Sequence, residues 1–246
     1  NDARRLKAVL SKKYGFKIIE DASHAIGASY NSINVGSCTH SDITVFSFHP
    51  VKIITTAEGG LATTNDTELA SRMQRLRSHG ITRDPVHMTH APDGDWYYQQ
   101  LELGFNYRMT DIQAALGLSQ LQRLDDYIER RHQLAARYDK ILSDLPIRTP
   151  ALATGAKSAL HLYPIQLHNS IVRNKVFSNL RTSGIGVNVH YIPVHTQPDY
   201  KRIGFASGYC PVAEAYYART MSLPLFGSMS DEQQDTVHAE LVRALR

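Results

Sequence analysis

The chain has 246 residues, 42% of them hydrophobic and 20% charged, with a formal net charge of +4; this is ordinary globular composition, enough for one large domain or two modest ones. Lys and Arg are spread along the sequence with no basic run and no aromatic-basic stripe, which gives nucleic-acid binding no support. Cys38 and Cys210 lie far apart outside any CxxC, no His stands at metal-ligand spacing and no apolar run approaches a membrane span of about 20 residues, so a cytoplasmic protein without disulfide or metal is expected.

The first residues, NDARRLKAVLSKKYGFKIIED, read as an amphipathic helix (Leu6, Val9, Leu10) feeding a strand over Phe16–Glu20. On that basis the chain is expected to begin inside an α/β unit, with earlier residues lying outside it. ASYNSINVGS suggests a hairpin through Asn34 and Gly36, ITVFSF a β-rich run, and GGLATTND a strand entered through two glycines. Asp66 or Asn65 is placed to cap a helix along Leu69, Met73 and Leu76. Residues 80–105 are polar, turn-rich and aromatic without a period, which predicts a long irregular excursion.

Thr110 and Gln113 then form a capping box. Behind it Ile112, Leu116, Leu121, Leu124 and Ile128 predict a core stripe on a helix reaching about Leu142. That length predicts a bend or a bridge between domains. DLPIRTPALATGAKS marks entry to a second unit, with a strand in HLYPIQL, a helix in VRNKVFSNLRTSG ending at Gly184, a strand in IGVNVHYIP and a closing helix in DEQQDTVHAELVRAL. The expected division is a domain over 1–128 and a small α+β domain over 129–246.

Two residues draw attention as chemistry. Asp21 ends an apolar strand, where open α/β sheets place ligand-binding groups, and Lys52 follows VFSFHPVK. Two neighbouring strands would present both groups to one ligand. An Asp after a strand is also a common cap or turn residue, and a Lys near a Pro is commonly just solvated. Ser47, five residues before Lys52, is either a compact phosphate donor or an alternating strand serine. Gly59 and Gly60 suggest close strand approach after the lysine segment, or a plain turn. Arg108 has two open roles, neutralising a phosphate or pairing with Asp111.

Three segments, EDASHAIGASY, VFSFHPVKIITTAEGGLATTND and ELGFNYRMTDIQAALGLSQL, resemble the sugar aminotransferases of the DegT/DnrJ/EryC1/StrS family, in order and along essentially the whole chain. The resemblance implies an α/β pyridoxal-phosphate (PLP) transferase of fold type I, aspartate aminotransferase-like, with a large domain incomplete at its N-terminal side and a small C-terminal α+β domain. In the family the earlier part of the large domain supplies a phosphate-binding turn and an aromatic that stacks on the cofactor ring. The resemblance makes Lys52 the catalytic Schiff-base lysine and Asp21 the partner of the pyridine nitrogen. It sets His24 near the ring hydroxyl, with a satisfied buried histidine as the alternative, Ser47 on the cofactor phosphate and Asn106 on the phosphate of a neighbouring subunit, which implies a homodimer with shared active sites.

Within the family, TTAEGG, RSHGITRD and the YYQQLELGFNYRMTD segment look most like the members that aminate C4 of a UDP-4-keto-6-deoxy-N-acetylhexosamine on the route to pseudaminic acid. The implied substrates are that UDP-sugar and glutamate. His161, Tyr191 and His195 are the candidates for the sugar-nucleotide side, with packing at strand ends as the alternative. Family members that dehydrate instead carry histidine in place of the lysine, so Lys52 points to transamination. Another nucleotide-sugar 3- or 4-aminotransferase, or a non-catalytic PLP-binding relative, are the other readings.

Overall fold

The computed structural model describes residues 6–168 and 171–246. Two compact units make up the chain: one of Asn1–Leu124 with Gly155–Ser158, the other of Asp125–Thr154 with Ala159–Arg246. Residues 1–5 of the expected first helix, and the Leu6 side chain, lie outside the described part. From Leu6 to Ser11 the backbone is π-helical and runs into an α-turn at Lys12–Tyr14, which ends at left-handed Gly15.

In the first unit, β1 (Ile19–Asp21) starts three residues later than the expected strand. β2 (Ser29–Tyr30) and β3 (Ile33–Asn34) form a hairpin. Its turn sits at Asn31 and Ser32, both with positive φ, the pattern of a type I′ turn, and so earlier than Asn34 and Gly36. β4 (Ile43–Ser47) lies parallel to β1, and β5 (Gly60–Thr63) returns antiparallel to β4, giving the order β1–β4–β5. Asp66 caps α1 (Thr67–Leu76) by accepting from the Glu68 and Leu69 N–H groups. The excursion at 80–105 is irregular apart from β6 (Ile81–Thr82) paired with β7 (Gln99–Gln100) and a turn capped by Asp84.

The capping box of Thr110 and Gln113 opens α2 (Asp111–Leu121). The helical run expected to bend or to bridge two domains is interrupted after Leu121, and α3 (Leu124–Ile141) lies in the second unit from Asp125 onward. Of the expected core stripe, Ile128 on α3 is buried and Leu124 half-buried, but its α2 part is not: Ile112 is 85% exposed, Leu121 47% and Leu116 38%. Ile112 and Leu116 are four residues apart and share one side of α2, but Leu121, two and a half turns beyond Ile112, faces the opposite side, so the three make no single stripe on this helix.

The second unit owns a continuous core. β8 (Ile147–Arg148), β10 (Tyr163–Leu167) and β11 (Thr220–Leu223) form an antiparallel sheet in the order β11–β10–β8. β9 (Ala156–Lys157) instead pairs with β2 of the first unit's hairpin sheet. α4 (Arg173–Thr182), α5 (Pro211–Arg219) and α6 (Asp231–Ala244) accompany the second unit's sheet, α6 opened by a capping box of Ser230 and Gln233. Leu134, Tyr138, Ile165, Leu180, Met221 and Leu241 are fully sequestered in the core. The strand expected in IGVNVHYIP is absent; a single bridge of Asn188 to Ser222 is what that segment contributes. Among the described residues no helix is long and apolar enough to cross a membrane.

Candidate active site

Residues directly opposite in a sheet share a face, and so do residues two apart along a strand. Asp21 pairs with Val45, and Ser47 lies two residues past Val45, so Asp21 and Ser47 stand on one face at the C-terminal ends of parallel strands. Glu20, Thr44 and Phe46 occupy the opposite face, where the Thr44 hydroxyl donates to Glu20 Oε2 at 2.9 Å. The alternation that buries Thr44 and Phe46 therefore turns Asp21 and Ser47 outward.

Lys52 stands on the loop between β4 and β5. Phe48 closes the base of that loop: its N–H donates to the Gly59 carbonyl at 2.9 Å, and its own carbonyl accepts from the Thr56 N–H at 3.0 Å and the Thr55 hydroxyl at 2.9 Å. Inside, the Lys52 N–H donates to the His49 carbonyl at 2.9 Å, and Ile53 and Ile54 are buried. Both glycines after the loop serve close approach. A Cβ on Gly60 would lie 2.8 Å from the Phe46 carbonyl oxygen, and one on Gly59 would collide with the Thr56 hydroxyl.

The electrostatics join Asp21 to Lys52. The Ser23 hydroxyl and N–H both donate to Asp21 Oδ1, at 2.5 and 3.0 Å. These bonds, with smaller contributions from His24 and Lys52, hold the Asp21 carboxyl below the usual carboxylate range. Burial pushes the Lys52 ammonium below its ordinary value, and Asp21 partly restores it. Asp21, His24 and Lys52 are thus one electrostatic group. Ser47 is half-buried on the same sheet face, with its Oγ accepting from the His49 N–H at 3.4 Å.

Asn106 belongs to a separate strap. Phe105 and Tyr107 donate their N–H groups to the Leu76 and Arg77 carbonyls at 2.6 and 2.9 Å, and the Asn106 side chain between them is exposed. The second-unit candidates divide. Tyr191 is exposed, while His161 is half-buried and its carbonyl accepts from Arg131 Nη1 at 3.3 Å. His195 is buried and its Nε2 lies 2.8 Å from Glu214 Oε1.

Ser23 escaped the sequence reading although it holds the Asp21 carboxylate directly. The signal was available as Asp-x-Ser, a side-chain turn in which the acid accepts from the residue two positions on.

Over residues 2–242 the chain matches the model of the DegT/DnrJ/EryC1/StrS aminotransferase family. The chain belongs to this family. It is 38% identical over 224 residues to the UDP-4-amino-4,6-dideoxy-N-acetyl-beta-L-altrosamine transaminase of Campylobacter jejuni, covering 90% of this chain and 56% of that protein. Among solved structures it is similar to PseC of Helicobacter pylori, an aminotransferase involved in the biosynthesis of pseudoaminic acid, with a TM-score of 0.89 and 31% identity over 100% of this chain and 63% of that one. Spr1654 of Streptococcus pneumoniae, solved in its PMP form, gives 0.86 and 33%, covering 96% and 60%. The fold is that of the PLP-dependent, fold-type-I sugar aminotransferases. The chain spans less than two thirds of the length of these relatives.

Proposed function

We propose that this chain carries the lysine and the ring-nitrogen carboxylate of a PLP-dependent aminotransferase, which moves an amino group from glutamate to C4 of a UDP-4-keto-6-deoxy-N-acetylhexosamine. The observation that carries the reading is the Asp21–Lys52 group at the C-terminal ends of β1 and β4. The residues fit the cofactor. A ring nitrogen that must stay protonated needs a carboxylate that stays ionised, and Asp21 is held ionised by Ser23. An amine that must react needs its neutral form, which the burial of Lys52 favours.

When bound, PLP supplies a carbonyl that captures amines and a protonated ring that draws electrons from the carbon next to the nitrogen. Lys52 Nζ would hold the cofactor and would serve as the base that takes the proton from the donor's α-carbon. Asp21 would keep the proton on the ring nitrogen, His24 would serve the ring hydroxyl, and Ser47 Oγ would donate to the phosphate. Exposed Asn106 serves the phosphate of a second subunit in a homodimer. On the sugar-nucleotide side, Tyr191 and His161 meet the substrate, and His195, through Glu214, anchors the turn beside Tyr191. The division into a cofactor part over 1–128 and a small domain over 129–246, and a cytoplasmic location, belong to the same proposal.

Lys52→Ala tests it. The variant is expected to lose turnover and the visible absorbance that wild type gains with PLP; normal turnover would refute the role of Lys52. Product NMR with UDP- and dTDP-linked 4-keto sugars decides the substrate, and amination at C3 or a preference for the dTDP sugar would overturn that part alone.

A further inference from the structure

The helix that follows the Asn106 strap carries a polar face against the Lys52 loop. Gln113, Gly117 and Gln120 recur at i, i+4 and i+7, so they lie on one side of α2. Each meets a different point of the segment 55–58. Gln120 Oε1 accepts from the Thr55 N–H at 2.9 Å. A Cβ on Gly117 would lie 2.7 Å from the Thr56 methyl, so the helix backbone sits directly on that threonine. Gln113 Nε2 donates to the Glu58 carbonyl at 3.0 Å, while its Oε1 accepts from the Thr110 N–H and hydroxyl, both at 3.0 Å. Thr56 is buried and its hydroxyl donates to the same Glu58 carbonyl at 2.8 Å.

These contacts seize the loop on the side that leads out of Lys52. Phe48 and Gly59 close the base; within 49–54 the His49 N–H donates to Ser47 Oγ of β4 at 3.4 Å, and Ile53 and Ile54 are buried. We propose that the Gln113–Gly117–Gln120 face of α2 is a clamp that sets where the Lys52 amine stands, with Gln113 and Gln120 as positioning residues. The clamp also links the lysine to the strap bearing Asn106, because Gln113 fastens both the start of α2 and the end of the lysine loop.

The importance of the clamp for catalysis rests on Lys52 being the reacting amine, but its test requires no cofactor. Pulse acetylation of the cofactor-free full chain with acetic anhydride, read by peptide mass spectrometry, gives the Lys52 rate relative to exposed Lys201. Gln120→Met keeps the bulk and removes the acceptor. With that bond lost and the loop freer, the relative Lys52 rate is expected to rise about fivefold. Gln120→Glu keeps an acceptor for the Thr55 N–H and is expected to stay near wild type.

Gly117→Ala supplies an independent arm. Alanine is the better helix former, so α2 itself gains, yet the new methyl pushes on Thr56. Lys52 is expected to label faster in Gly117→Ala, and adding Thr56→Ser, which removes the opposing methyl and keeps the hydroxyl, is expected to restore the rate. Wild-type labelling in both Gln120→Met and Gly117→Ala would overturn the clamp. So would equal rates in Gln120→Met and Gln120→Glu, or no rescue by Thr56→Ser. If Gln120→Met fails to fold, the Gly117 and Thr56 pair decides. Failure of the clamp leaves the Lys52→Ala result untouched, and the converse also holds.

Discussion

The two units differ in what holds them together. The second is organised around one contiguous apolar core, from Leu134 and Tyr138 on α3 through Ile165 on β10 to Leu241 on α6. Arg131, buried beside that core, ties three chain segments together: its Nη1 donates to the Leu160, His161 and Leu225 carbonyls at 3.0, 3.3 and 3.0 Å. The first unit buries little beyond Phe46, Phe48, Ile53, Ile54 and a few small residues, and leaves Ile19, Leu61, Ile112 and Leu118 exposed. Yet it holds Asp21, Ser47 and Lys52. A well-filled core fixes a backbone by volume, whereas the lysine loop is fixed by individual hydrogen bonds and by glycines that allow close contact. Substitutions should therefore separate cleanly by unit.

The sharpest break is expected from Leu180→Ala. Leu180 is fully buried on α4, and truncating such a leucine costs about 2–5 kcal/mol through lost transfer energy and a residual cavity. Urea unfolding should show that loss, while the acetylation rate of Lys52 in the folded variant stays unchanged. A changed Lys52 rate would show that the two units are not energetically separate. Asp21→Asn runs the other way. Asparagine keeps an Oδ1 acceptor for Ser23 and loses only the charge, at an exposed position where substitutions move stability by about 0.5 kcal/mol or less. Turnover should fall by about 100-fold or more, equivalent to about 2.7 kcal/mol of barrier, with the urea midpoint in place. A turnover within a few-fold of wild type would remove Asp21 from the mechanism.

The same contrast explains what could be read from residue order. The placement of Asp21, Ser47 and Lys52 was legible because strand alternation and strand-end position are local properties: the three fall where period two and the β4–β5 turn put them. Caps at Asp66, Thr110 and Ser230 are local as well, although only the first two were recognised. The α2 stripe failed because Leu121 stands on the side of the helix opposite Ile112 and Leu116, and the face that touches the lysine loop carries glutamines and a glycine. Gln120 meets Thr55 across 65 residues of sequence, a contact that no window contains. β11 was missed although Thr-Met-Ser-Leu alternates polar and apolar residues: it is only four residues long and directly follows α5, too short a run to stand out, and all four residues are buried. The strand expected at IGVNVHYIP lost to a lone bridge, since β-branched residues favour extension without ensuring a partner.

The smallest expected effect is a pH dependence placed in the second unit. Glu214 Oε1 accepts from the Gly208 N–H at 2.7 Å and lies 2.8 Å from His195 Nε2. The His195 bond first, and the Gly208 bond second, hold the Glu214 carboxyl below the ordinary glutamate value. A carboxyl depressed in the folded state binds its proton less readily than in the unfolded chain. Its contribution is therefore fully present above the ordinary glutamate pKa and is lost as pH falls through the lowered folded value. Glu214→Gln retains an acceptor but does not titrate. Melting temperatures measured from pH 7 downward should therefore fall more steeply for wild type than for Glu214→Gln in the acid range, and the two curves should run parallel near neutrality. Parallel curves throughout would mean that the His195 contact shapes the turn beside Tyr191 without stabilising it. Because His195 and Glu214 both sit outside the first unit, Lys52 labelling in Glu214→Gln should match wild type at every pH where the protein stays folded. A Lys52 rate that followed Glu214 would erase the division of labour between the units.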